Sequence, residues 1–178
     1  MSRAATQFAD DLLLVKLAEV SPHQQETEHT CSAACLKAVL RHYGVDLPEA
    51  LLSQAIRVSP KYGAEITEIV RAAQELGFSA MLYEFENLDQ AKWLLDQDIP
   101  IIADIQSFKH PGKGHYVVIT KIDGDRVYLM DPNTKDGVNQ RVLTREHADA
   151  RWWDRTMAPP HGLKVKWGAV ILPPNGDL

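Results

Sequence analysis

From Thr30 to Gly44 the apolar residues Cys31, Ala34, Cys35, Ala38, Val39 and Leu40 recur at about every 3.6 positions. This predicts a helix capped by Thr30 and ended by Gly44 in a left-handed turn. Pro48 opens a second helix running to about Ile56. A third lies between Gly63 and Gly77, with Ile66, Ile69, Val70, Ala73 and Leu76 on one face. Beyond Gly77 the texture changes. Short apolar runs at 78–83, 100–105, 115–122, 127–130 and 167–172 predict strands, with a helix over 88–96 between the first two. Asp123-Gly124-Asp125 is a hairpin turn between two of them. Helices followed by strands, without βαβ alternation, imply an α+β fold in which N-terminal helices pack on an antiparallel β-sheet. Residues 1–22, with Phe8, Leu12, Val15 and Leu17 before Ser21-Pro22, read as an N-terminal arm. Residues 23–173 read as a single domain, with an irregular stretch over 151–166, and 174–178 as a frayed tail.

A chain of 178 residues is long enough for one well-buried core. The formal net charge of -5 and the absence of a long basic run argue against a nucleic-acid partner. Leu12-Leu13-Leu14-Val15 follows Asp10-Asp11, not a basic segment, and no apolar run approaches the roughly 18 residues of a membrane span. A cytoplasmic protein without an integral membrane segment is expected. Cys31 and Cys35, the only two cysteines, sit four positions apart in one helix, where a disulfide would close almost no loop. Free thiols suit a reducing compartment.

The candidate chemistry lies in separate segments. Cys31 falls in the first turn of its helix, where unpaired N–H groups and the macrodipole favour an anionic thiolate. Its alternative is that of a small core residue, the reading given to Cys35. Gln25, six residues before Cys31, is placed to turn its amide toward the sulfur and donate to an oxyanion, with the adjacent Gln24 as its rival. His115 joins the loop Gly112-Lys113-Gly114 to an apolar strand. His23, His29, His42, His110, His147 and His161 lack that setting. Asp131 ends the next strand before Pro132, and an antiparallel hairpin would bring it beside the start of the strand that carries His115. His23, His29, Cys31 and Cys35 do not complete a zinc-binding pattern, so no metal and no organic cofactor is expected.

Gln25, the Cys31-Ser32-Ala33-Ala34-Cys35-Leu36 helix start, Pro100-Ile101-Ile102, Gly114-His115-Tyr116-Val117-Val118 and Val127 to Pro132 stand in an order that resembles one family. It comprises the papain-like cysteine peptidases that remove double-glycine leaders from bacteriocins, together with their stand-alone relatives. The resemblance implies a papain-like cysteine peptidase fold and hydrolysis of a peptide bond through a thioester. Cys31 would be nucleophile, His115 general base and acid, Asp131 the orienting carboxylate and Gln25 the oxyanion donor. The partner implied is a peptide or protein substrate. Thr30 and Ser32 stand where family members often carry aspartate and glycine. The same thiol chemistry would also serve an acyltransferase or a deamidase. A peptide-binding module without turnover is the reading outside enzymes.

Overall fold

The computed structural model describes residues 20–134, 136–156 and 162–173. The expected arm over 1–22 lies outside the described residues for all but its last three positions, and so does the tail 174–178. The first three helices are α1 Cys31–His42, α2 Glu49–Ile56 and α3 Ile66–Glu75. Strand β1 Ala80–Glu84, helix α4 Leu88–Leu95, and strands β2 Ile101–Gln106, β3 Gly114–Asp123 and β4 Arg126–Met130 follow. The chain then forms β5 Gln140–Thr144, α5 Arg145–Arg151, β6 Trp153–Arg155, β7 Leu163–Val165 and β8 Trp167–Ile171.

Six strands form one antiparallel sheet in the order β1-β8-β2-β3-β4-β5, while β6 and β7 pair as a separate ribbon. The sheet is covered on both faces. Ile102, Tyr116, Val118, Met130, Ala169 and Ile171 join α1, α2 and α3 in one core. The alternate residues Ile101, Ala103, Val117, Ile119, Leu129 and Val170 join Leu88, Ala91 and Leu94 of α4, Phe85 and Trp152 in a second. A strand buried on both faces needs apolar side chains at successive positions, which explains Ile101-Ile102 and Val117-Val118-Ile119. The α+β expectation therefore holds, with the addition that α4 and Trp152 close the face away from the N-terminal helices.

Local chemistry sets several boundaries. Gly44 and Gly77 take φ of +83° and +90° just after α1 and α3. Helix α3 starts at Ile66, later than Gly63, because Ser59 and Gly63 exchange backbone hydrogen bonds of 2.7 and 2.8 Å in a turn of their own. Thr30 does not cap α1 through its side chain. Its hydroxyl donates to the Thr27 carbonyl and accepts the Thr27 N–H at 3.1 Å, which tightens the loop before the helix. Part of the stretch expected to be irregular, 151–166, carries the β6–β7 ribbon. No helix among the described residues is long and apolar enough to cross a membrane.

Candidate active site

Cys31 is the first residue of α1 and is partly exposed, whereas Cys35, one turn on, is fully buried in the first core. Burial, followed by the charges of Cys31, Asp131 and Glu49, pushes the Cys35 thiol well above its ordinary range. The core role expected for Cys35 is therefore its place in the fold.

His115 is the second residue of β3, and Asp131 follows the last residue of β4. The β3–β4 hairpin pairs Asp123 with Arg126 and Val118 with Met130, with a register shift between Ile119 and Lys121. Continued past Met130, this pairing brings the Asp131 carboxylate to the imidazole: His115 Nε2 lies 2.8 Å from Asp131 Oδ1. With Nε2 engaged there, Nδ1 is the ring nitrogen left to face Cys31, the second group whose influence raises the imidazole pKa. Both members of the pair are withdrawn from water, His115 being 7% and Asp131 1% exposed.

Burial alone would lower the His115 pKa, but its hydrogen bond to Asp131 and the influence of Cys31, reinforced by their charges, raise it to about 9. Burial likewise pushes the Asp131 carboxyl upward. The imidazole, the Arg141 guanidinium and the Asn133 backbone N–H outweigh it and hold the group at about 2. Arg141 Nε donates to Asp131 Oδ2 at 2.5 Å and the Asn133 N–H to Oδ1 at 2.9 Å. Arg141 itself stacks on Phe108, its guanidinium 4.3 Å from the ring centroid. Lys109, beside Phe108, donates to both the carbonyl and the side-chain oxygen of Asn133. The 107–113 loop and the Asp131 turn are thus pinned together.

Gln25 is buried, whereas its rival Gln24 is exposed. One Gln25 amide N–H donates to the Thr27 carbonyl at 2.6 Å, which leaves the other for a ligand. Two buried polar atoms, Gln25 Oε1 and Oγ of Ser32, the residue after Cys31, have no partner among the described residues. Two of the competing histidines are committed elsewhere: His23 to Glu49 at 2.7 Å and His42 to the Asp98 carbonyl at 3.2 Å. A grouping of metal-ligand type does occur among the described residues, His23, Glu26 and Glu49, with ligand atoms within 4.8 Å of one another. It differs from the cysteine-containing set weighed in the sequence, and both Glu49 oxygens are already taken by His23 and the Glu26 N–H.

Residues 19–158 match the Peptidase C39 family. The chain belongs to that family. The lactococcin-G-processing and transport ATP-binding protein LagD of Lactococcus lactis subsp. lactis is 31% identical over 108 residues, 61% of this chain and 15% of LagD. The probable functional amyloid protease FapD of Pseudomonas aeruginosa is 26% identical over 166 residues, 87% of this chain and 66% of FapD. A double glycine motif protease from an AMS/PCAT transporter, solved with its leader peptide, superposes with a TM-score of 0.65 at 20% identity. That match covers 86% of this chain and 91% of the other. The chain therefore spans a small part of the length of its transporter relative.

Arg141 and Asn139 are the site neighbours that the sequence did not reveal. Arg141 pairs with Leu129 across β4 and β5, and Asn139 O accepts the Asp131 N–H at 2.9 Å. The signal was a second hairpin after Asp131, and the exposed, half-polar run of β5 hides it.

Proposed function

We propose that this C39 peptidase is a cysteine peptidase that cleaves a leader peptide after a double glycine, with Cys31 as nucleophile. The observation that carries this reading is the buried His115–Asp131 pair, 2.8 Å from Nε2 to Oδ1, with Cys31 at the start of α1 acting on the same imidazole. The Cys31 thiolate attacks the scissile carbonyl carbon. The oxyanion receives the free Gln25 amide N–H and the Cys31 backbone N–H at the start of α1. Protonated His115 gives its proton to the leaving amine, the C–N bond breaks and a thioester remains. The neutral imidazole then takes a proton from water, whose oxygen attacks the thioester, and the product carboxylate departs as the thiol is restored. Asp131 keeps the ring in the orientation that presents Nδ1 to sulfur and stabilises its charged form. The similarity to LagD, a processing and transport protein, and to a double glycine motif protease solved with its leader peptide supports a leader peptide as substrate.

The test is cleavage of synthetic leader peptides ending in Gly-Gly before a reporter segment, with products identified by mass spectrometry. A free carboxylate on the leader is expected, and Cys31→Ala is expected to lower turnover by about 10⁴-fold or more while peptide binding persists. Turnover that requires an added amine would make the protein an acyltransferase. Release of ammonia from side chains would make it a deamidase. Binding with equal affinity and no turnover in either protein would leave a peptide-binding module.

A further inference from the structure

Residues 23–26, which carry Gln25, belong to no helix or strand, yet they are gripped from two sides. On one side stands Glu49, the first residue of α2, only 1% exposed. Both of its oxygens reach the loop: Oε2 meets His23 Nε2 at 2.7 Å, and Oε1 accepts the Glu26 backbone N–H at 2.9 Å. On the other side stands the Asp131 turn. The Gln25 backbone N–H donates to the Pro132 carbonyl at 2.9 Å. Asn139 Nδ2 donates to Gln24 Oε1 at 2.8 Å and to the Asp131 carbonyl at 3.1 Å. Asn139 is 3% exposed and has a φ of +54°, a left-handed conformation that asparagine tolerates better than most residues. In it, the Asn139 carbonyl and side chain serve Asp131 together.

A loop without secondary structure would cost about 1–2 kcal/mol per residue to order at the moment of reaction. An oxyanion donor is effective only when it is fixed beforehand. We propose that Glu49 and Asn139 are positioning residues that clamp the loop and hold the Gln25 amide at the oxyanion site. Asn139 also ties that loop to the carboxylate that orients His115. The proposal rests on the reading of Gln25 as oxyanion donor. Neither residue touches the substrate. Glu49 acts through the Glu26 N–H and His23, and Asn139 through Gln24.

Three readouts on the full chain separate this role from general stability. The alkylation rate of Cys31 by iodoacetamide reports the thiol and His115 and makes no oxyanion. The inhibition constant of a peptide aldehyde ending in Gly-glycinal reports the oxyanion site, because the hemithioacetal oxygen occupies it. kcat and KM on the Gly-Gly leader peptide report both. Glu49→Ala and Asn139→Gly, the latter keeping the left-handed backbone, are expected to lower kcat and weaken the aldehyde by about 10- to 100-fold. KM and the alkylation rate should stay within about threefold of wild type, the scale of a change that removes no binding contact. Glu49→Gln, which still accepts the Glu26 N–H, should recover most of the loss.

Unchanged aldehyde affinity and kcat in Glu49→Ala and Asn139→Gly, beside a loss in Gln25→Ala, would overturn the clamp and leave the oxyanion reading standing. If Gln25→Ala itself loses nothing, the oxyanion reading falls and the clamp with it. A parallel drop in alkylation and aldehyde affinity would make both residues merely structural and also overturn the proposal. Alkylation and aldehyde binding need no turnover, so these outcomes are readable even for a protein that cleaves no Gly-Gly peptide.

Discussion

At His115 burial and charge oppose each other, and charge wins. An imidazole only 7% exposed would ordinarily stay neutral, but the Asp131 carboxylate and Cys31 raise it to about 9. Its folded pKa therefore lies above the unfolded value near 6.5. The protonated ring contributes stability in full below about pH 6.5, and that contribution is lost as pH rises through about 9. Asp131 has the opposite sign: held at about 2, it stabilises the fold above about pH 4, and the contribution is lost as pH falls through 2. Thermal melting of wild type should therefore decline between pH 6.5 and 9, and His115→Gln should flatten that decline. kcat/KM should fall above about pH 9, about tenfold per pH unit, as the ring loses the proton that the leaving amine requires. A wild-type melting temperature independent of pH over this range would contradict the charged imidazole. Both residues were legible in the sequence because each sits at a strand end marked by glycine or proline. Arg141 and Asn139 were not. They face Asp131 only through the register of β5, whose exposed Gln140, Val142 and Thr144 leave no apolar run to announce a strand.

Among the elements, the β6–β7 ribbon is where short-range patterns failed. Its two strands have three residues each, too few for any period, and its partners are remote in sequence. Lys164 of β7 is 2% exposed and binds Asp104 of β2 at 2.5 Å and Glu65, just before α3, at 3.2 Å. Burial pushes the Asp104 carboxyl up to about 7 despite the Lys164 charge, with Asp154 adding to the rise. Tyr116, next to His115, donates its hydroxyl to the Ala64 carbonyl at 2.9 Å beside the same cluster. Gly114 is the contact point between ribbon and site. A Cβ built there would collide with Asp154 Oδ2 and come within 2.7 Å of Asp154 Cγ. Asp154 has little room to retreat, because Gln106 Nε2 lies 3.3 Å from Oδ1 and Lys164 lies 3.6 Å from Oδ2. Gly114→Ala should therefore cost about 1–3 kcal/mol by overpacking. It should also reduce kcat, since the displaced backbone belongs to the residue before His115. Urea unfolding together with steady-state kinetics measures both. Unchanged stability would mean that the ribbon gives way without consequence.

The molecule as a whole is a sheet between two cores, and only one of them leads directly to the chemistry. The N-terminal helices were read correctly because α1, α2 and α3 carry their apolar residues at helical spacing and end at glycines or before polar turns. That the sheet is also closed from behind was harder to see. The closing residues, Phe85, Leu94, Ala148 and Trp152, come from three short segments with no shared period. Helix α1 lies in the first core with Leu36, Val39 and Leu40 fully buried, so any shift of its packing moves Cys31 relative to His115 on β3. Trp152 lies in the second core, its ring 5.2 Å from Phe85 and its Nε1–H donated to the Trp167 carbonyl at 2.9 Å. Trp152→Ala should destabilise the fold by about 3–5 kcal/mol through the cavity it leaves and the orphaned carbonyl. Leu36→Ala should cost about 2–5 kcal/mol for the same volume reason. Their kinetics should differ. Measured well below the melting temperature on the folded fraction, Trp152→Ala should keep kcat within about twofold, as expected for sites without shared partners, whereas Leu36→Ala should lose both stability and turnover. Equal losses of kcat in the two variants would mean that the sheet transmits strain from its back face to the triad, and the division into a catalytic and a supporting core would fail.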